Sequence, residues 1–166
     1  YKFPNPNDNA SLAHSFEKTV KQFGDKNFIF FENEAWTYSQ INNSANMLAS
    51  KLVNDGVNHG DRVVLFMENR PDYVISILAL NKIGAIGVLI NTSLTGQPLI
   101  HCINSSDSKK CIFGAELSIP LSEVLDKINI KNKIDFLWVK DTDDYECPHW
   151  ASDLKFQLDA TNINNL

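Results

Sequence analysis

The run DRVVLFMENRPDYVISILALNKIGAIGVLIN occupies residues 61–91. Two of its segments, 63–67 and 85–90, are continuously apolar. A strand with one wet face alternates polar and apolar residues, so a strand without alternation is covered on both faces. Between the two segments, Pro71 stands where a helix would begin, at a first-turn position whose missing N–H costs nothing. The helix it opens runs to about residue 83 and is apolar nearly all round, so it is expected to be buried. Strand, buried helix, strand is the repeating unit of a parallel sheet.

The alternation continues downstream. A helix is expected around 99–103, a short strand at 111–113, a helical face carrying Leu121, Val124, Leu125 and Ile128, and a last strand at 134–139. Residues 61–139 are therefore predicted to form an α/β core, an open doubly wound and mostly parallel sheet flanked by helices. Upstream, Leu12, Phe16, Val20 and Phe23 recur at helical spacing, with Asp8 and Asn9 as candidate caps and Gly24 in the left-handed position after the end. Strands at 28–31 and 35–37 form a short hairpin. Thr37 and Gln40 have the spacing of a capping box, opening a helix with Ile41, Ala45, Leu48 and Leu52 on one face and Gly56 at its close. Residues 141–149 read as a polar loop, and a weak helical pattern follows from Ala151 through Leu154 and Leu158. The chain divides into a helix and hairpin at 9–38, a βα core at 39–139, and a loop and tail at 140–166.

Composition sets limits on function. The chain has 166 residues, 43% hydrophobic and 21% charged, which is globular and long enough for one core. Its net charge is −5 and its longest basic run is Lys109-Lys110, so no nucleic-acid partner is expected. No signal-peptide pattern is present, and the most apolar stretch, 74–90, is broken by Asn81, Lys82 and Gly84. A cytoplasmic or membrane-peripheral location is the expectation. The start at Tyr1 and the Asn-rich end read as those of a piece taken from a longer protein.

Three cysteines, Cys102, Cys111 and Cys147, form no Cys-x-x-Cys pair, so neither a disulfide framework nor a structural zinc site is expected. Cys147 and His149 lack two further ligands at recognisable spacing. His101 and Cys102 are neighbours on a predicted helix, where adjacent side chains do not face each other. The acids Asp141, Asp143, Asp144 and Glu146 lack the glycine and terminal glutamate of a calcium loop. No metal site is predicted.

In an open parallel sheet, ligands sit outside the carboxyl ends of the strands. Two such ends carry polar side chains: Asn69 and Arg70 after the strand at 63–67, and Asn91 and Thr92 after the strand at 85–90. These four are the candidate substrate-binding residues. The alternative is local: Asn69 caps the next helix, and Asn91-Thr92 makes a side-chain turn. Phosphate loops are absent. Gly84 and Gly87 precede a strand, whereas a dinucleotide fingerprint needs strand, glycines, then helix. No Gly-x-Ser-x-Gly elbow occurs. No catalytic residue is predicted in the chain.

Several strings carry a resemblance. Trp36-Thr37-Tyr38 with Ile41, Gly60-Asp61-Arg62-Val63 and Glu68-Asn69-Arg70 are similar to the start of an adenylate-forming enzyme. More specifically, Lys82-Ile83-Gly84-Ala85, Ile90-Asn91-Thr92-Ser93-Leu94, Leu99-Ile100-His101-Cys102 and Phe113-Gly114-Ala115-Glu116 resemble the fatty acid transport protein branch, the very-long-chain acyl-CoA synthetases. The likeness runs from about residue 12 to residue 139. One departure is Thr95, where the branch often has Arg before the glycine here numbered Gly96.

The resemblance implies a parent enzyme that joins a long- or very-long-chain fatty acid to CoA. A fatty carboxylate attacks the α-phosphate of Mg²⁺-bound ATP, and the CoA thiol then attacks the acyl-adenylate. ATP, Mg²⁺ and CoA belong to the parent; none is expected to bind this piece, whose phosphate loop and C-terminal sub-domains would lie beyond it. The piece alone is expected to be inactive and to self-associate through the surface its missing neighbours would cover, with peripheral membrane contact for the parent. Two alternatives stand: another adenylate-forming ligase (a carnitine-type or aromatic-acid CoA ligase, or a carrier-loading adenylation domain), or a non-catalytic doubly wound binding domain.

Overall fold

The computed structural model describes residues 11–140 and 145–154. The first helix, α1 (Leu12–Phe23), is capped by Ser11, whose hydroxyl accepts from the His14 N–H at 3.1 Å. The expected caps Asp8 and Asn9 lie outside the described residues. Phe16 is buried, but Leu12 and Phe23 remain 52% and 42% exposed, so only the middle of the anticipated stripe is covered. Gly24 is right-handed, with φ −48°, which corrects the left-handed expectation. It is needed there for room: a Cβ would lie 2.5 Å from the Ser39 Oγ. The Ser39 N–H donates to the Gly24 carbonyl, drawing the next helix against this turn.

Strands β1 (Asn27–Phe31) and β2 (Glu34–Thr37) form the predicted antiparallel hairpin. Phe28 stacks on Tyr38 at 4.5 Å between ring centres and meets Phe16 at 5.1 Å, which fixes the hairpin to α1. Helix α2 (Tyr38–Asn54) opens on the full capping box: the Gln40 N–H donates to the Thr37 hydroxyl, and the Thr37 N–H donates to Gln40 Oε1. Its face of Ile41, Ala45, Leu48 and Leu52 is fully buried.

The remaining strands make one parallel sheet. They are β3 (Arg62–Phe66), β4 (Ile86–Leu89), β5 (Lys110–Gly114), β6 (Phe136–Val139) and β7 (Ser152–Asp153), in the order β4-β3-β5-β6-β7. Helix α3 (Pro71–Lys82) links β3 to β4, and α4 (Gly96–Ser105) links β4 to β5. Along β3 the side chains divide between two cores. Val63 and Leu65 pack with α2 and α3, whereas Val64 and Phe66 pack with Leu99 and Ile103 of α4 and with Phe113 and Trp138. Both faces of β3 are thus covered, as its unbroken apolar run required; β4 departs from that expectation, because it stands at the sheet edge with Ile86 and Leu89 exposed.

Three expectations need correction. The helical face at 121–128 is broken into a single turn of helix, α5 (Ser118–Ser122), and a 3₁₀ turn at Leu125–Lys127. Leu121, Val124 and Ile128 still reach the core, but through separate turns. The last strand of the core begins at Phe136 instead of 134, because Ile134 sits in a 3₁₀ turn and is 68% exposed. Ser152–Asp153 form a short strand where the weak helical pattern from Ala151 pointed to a helix. The Leu154 N–H donates to the Trp138 carbonyl, so pairing with β6 overrides a weak local helical pattern. Leu158 lies outside the described residues, as do Asp141, Asp143 and Asp144.

Candidate functional site

The chain crosses from β3 to β4 through α3, then returns past β3 to β5 through α4. The connections therefore diverge between β3 and β5, and this is the sheet's topological switch point. In open α/β sheets, that is where a crevice opens and ligands bind.

Here an ion pair fills it. The Arg70 side chain is only 4% exposed and turns inward beneath the strand ends. Its Nη1 donates to Glu116 Oε2 at 2.8 Å and its Nη2 to the Val139 carbonyl at 3.3 Å, while Asp72 lies 3.4 Å from Nε. The other oxygen of Glu116 accepts from the Glu68 N–H at 2.9 Å. One carboxylate thus ties the end of β3 to the segment after β5, and one guanidinium adds the end of β6. Gly114 makes room for this: a Cβ there would lie 2.2 Å from both Glu116 oxygens.

The four candidate residues come to one edge of the sheet, since β3 and β4 are parallel and paired in register from Arg62–Ile86 to Leu65–Leu89. Asn91 follows the local alternative, its Oδ1 accepting from the Ser93 N–H at 2.9 Å. Thr92 beside it is half-buried. Asn69 does not follow that alternative: the N-cap of α3 is Arg70, with no side-chain cap bond. Asn69 and Glu68 are both exposed at the turn. Arg70 reaches inward, away from any ligand above the edge. Glu116 is the site residue that sequence reasoning misses: its partners lie 46 and 48 residues away, and no local spacing signals them.

Elsewhere the chemistry is sparse. Burial pushes the Cys111 thiol far up, and burial with nearby Asp153 raises Cys147. Lys82 holds Glu17 below its ordinary 4.5, and Lys109 with the Asn58 N–H holds Asp61 below its ordinary 3.8. Among the described residues, a cavity of about 610 Å³ lies between α1, α2 and the end of α3, and one of about 360 Å³ lies beside Lys109 and Lys110 at the start of β5. Neither is at the carboxyl edge. Among the described residues no group of three His, Cys, Asp or Glu side chains could hold a metal ion, and no helix is long and apolar enough to cross a membrane. With no glycine loop at the carboxyl edge and the switch-point crevice filled, these residues do not fit an adenine nucleotide or its Mg²⁺.

The sequence pattern of the family described as AMP-binding enzyme matches residues 16–162. The medium/long-chain-fatty-acid–CoA ligase FadD6 of Mycobacterium tuberculosis is 33% identical over 118 residues, 71% of this chain and 20% of that protein. Long-chain fatty acid transport protein 1 of Rattus norvegicus is 33% identical over 93 residues, 56% of this chain and 14% of that protein. The crystal structure of a long-chain-fatty-acid–CoA ligase, FadD1, from Archaeoglobus fulgidus aligns with a TM-score of 0.70 at 26% identity, over 83% of this chain and 29% of that one. The chain thus spans about a fifth or less of the curated relatives it matches.

Proposed function

This chain belongs to the AMP-binding enzyme family, and we propose that it forms the first sub-domain of a fatty-acid–CoA ligase. The observation that supports this best is the agreement of two distant relatives. A bacterial protein named for ligating medium and long-chain fatty acids and a mammalian one named for their transport both align with it at 33% identity. In this reading, the parent takes a long- or very-long-chain fatty acid, ATP and CoA. The carboxylate oxygen attacks the α-phosphorus and pyrophosphate leaves. The CoA thiol sulfur then bonds to the acyl carbon, AMP leaves, and the thiol proton passes to solvent. When bound, Mg²⁺ and basic groups of the parent would stabilise the charge on the phosphates of ATP.

This chain's own share is a scaffold. Its parallel sheet and its pinned strand ends supply a rigid edge, with Asn69, Asn91 and Thr92 as the residues in reach of ligand. The chain by itself neither binds ATP nor forms adenylate. The parent works in the cytoplasm or at a membrane periphery, where its lipid substrate partitions.

The test is ATP–pyrophosphate exchange by the complete parent protein, with fatty acids of graded length and with aromatic acids, beside calorimetry of residues 1–166 with Mg-ATP. Exchange driven by long-chain acids is expected, with no heat from the isolated chain. Exchange driven only by aromatic acids would move the parent to another branch of the family. Micromolar ATP binding by residues 1–166 would overturn the scaffold role.

A further inference from the structure

The ion pair at the switch point does more than close a crevice. Strands β3, β5 and β6 are already joined by their ladders. A buried ion pair adds little net stability over apolar residues of the same size. What it does set is the path of the turn at 67–70. The same Glu116 carboxylate holds the Glu68 N–H on one side of Asn69 and the Arg70 guanidinium on the other. Asn69 is therefore pinned from both sides while its own side chain stays exposed. Asparagine is favoured in turns because it bonds nearby backbone. Here it does not cap α3, and the Asn69 amide has no hydrogen-bond partner among the described residues. Local structure gives it no task.

We propose that Asn69 contacts the ligand at the carboxyl edge of the sheet and that Arg70 and Glu116 are its positioning pair. This rests on the ligase reading above. A primary amide both donates and accepts, so it suits a neutral polar group of the bound substrate. The exposed carboxylate of Glu68 beside it disfavours a phosphate. Arg70 and Glu116 act through the turn backbone and do not touch the ligand.

The experiment uses the complete parent protein and pyrophosphate exchange with a long-chain fatty acid. The variants are Asn69→Ala, Glu116→Gln, Arg70→Lys and the double variant Asn69→Ala with Glu116→Gln, with Lys51→Ala as a surface control. Asn69→Ala is expected to lower kcat/KM about tenfold at an unchanged melting temperature. Glu116→Gln is expected to lower it similarly and to speed amide exchange at Glu68. The double variant should be no worse than Asn69→Ala alone, because both changes remove one contact. Full activity of Asn69→Ala, or losses that multiply in the double variant, would overturn the positioning role. If Glu116→Gln or Arg70→Lys fails to fold, Asn69→Ala remains decisive. A wild-type protein without exchange fails the ligase reading itself, an outcome distinct from any variant result.

Discussion

At Gly114 the missing side chain matters more than its backbone angles, since its φ is an ordinary −78°. A methyl group there would displace the Glu116 carboxylate and leave Arg70 without its main partner. Breaking one side of a buried pair costs about 3–5 kcal/mol. Gly114→Ala is expected to lose an amount near the low end, because the glutamate arm can swing to water, and a urea unfolding curve measures it. Thiol chemistry offers a second check at this scale. Cys111 is fully buried and its thiol is held protonated. Native protein at about pH 8 should leave Cys111 unlabelled by iodoacetamide until it unfolds. Cys102 and Cys147 are only partly covered, so they should label earlier.

Among the elements, α2 is the best signalled and α1 the most dependent on its partners. Thr37→Ala removes half of the capping box and should cost about 1 kcal/mol, read as a lowered thermal midpoint. Helix α1 is held to α3 partly by the Lys82–Glu17 ion pair and by the Ala13 N–H donating to Asn81 Oδ1. Glu17 is depressed below 4.5 by Lys82. A depressed carboxylate stabilises the fold above its ordinary value, and that stability is lost as pH falls through the folded value. Acid should therefore weaken the protein below about pH 4.5, and Glu17→Gln should flatten that slope in urea midpoints taken from about pH 6 to about pH 3. The effect is small, because Glu17 is half-exposed and screened by solvent.

For the molecule as a whole, the sheet is unevenly protected. β4 stands at its edge, uncharged and free of proline, with Ile86 and Leu89 48% and 55% exposed on opposite faces. Such an edge is a template for pairing with another chain. Residues 1–166 are expected to self-associate, and sedimentation velocity over a concentration series should show it. Leu89→Lys places a charge on that edge and should return the chain to monomer. A monomer at every concentration before substitution would mean that the edge is adequately protected as it stands.

The apolar run at 63–67 determined a central strand of the parallel sheet, because a strand that does not alternate must be covered twice; the run at 85–90 made the strand beside it, yet Ile86 and Leu89 stay exposed at the sheet edge. The capping box and Pro71 determined where α2 and α3 begin, because both act within one turn. The carboxyl ends of the strands at 63–67 and 85–90 placed Asn69, Arg70, Asn91 and Thr92 on one edge of the sheet. Only the tertiary structure decided what Arg70 does there. Its direction depends on Glu116 and Val139, brought within reach by crossovers of 46 and 69 residues, and no local preference encodes those distances. The same holds for β7, where a ladder with β6 outweighed a weak helical pattern, and for Gly24, kept small by a serine that the folded chain sets against it.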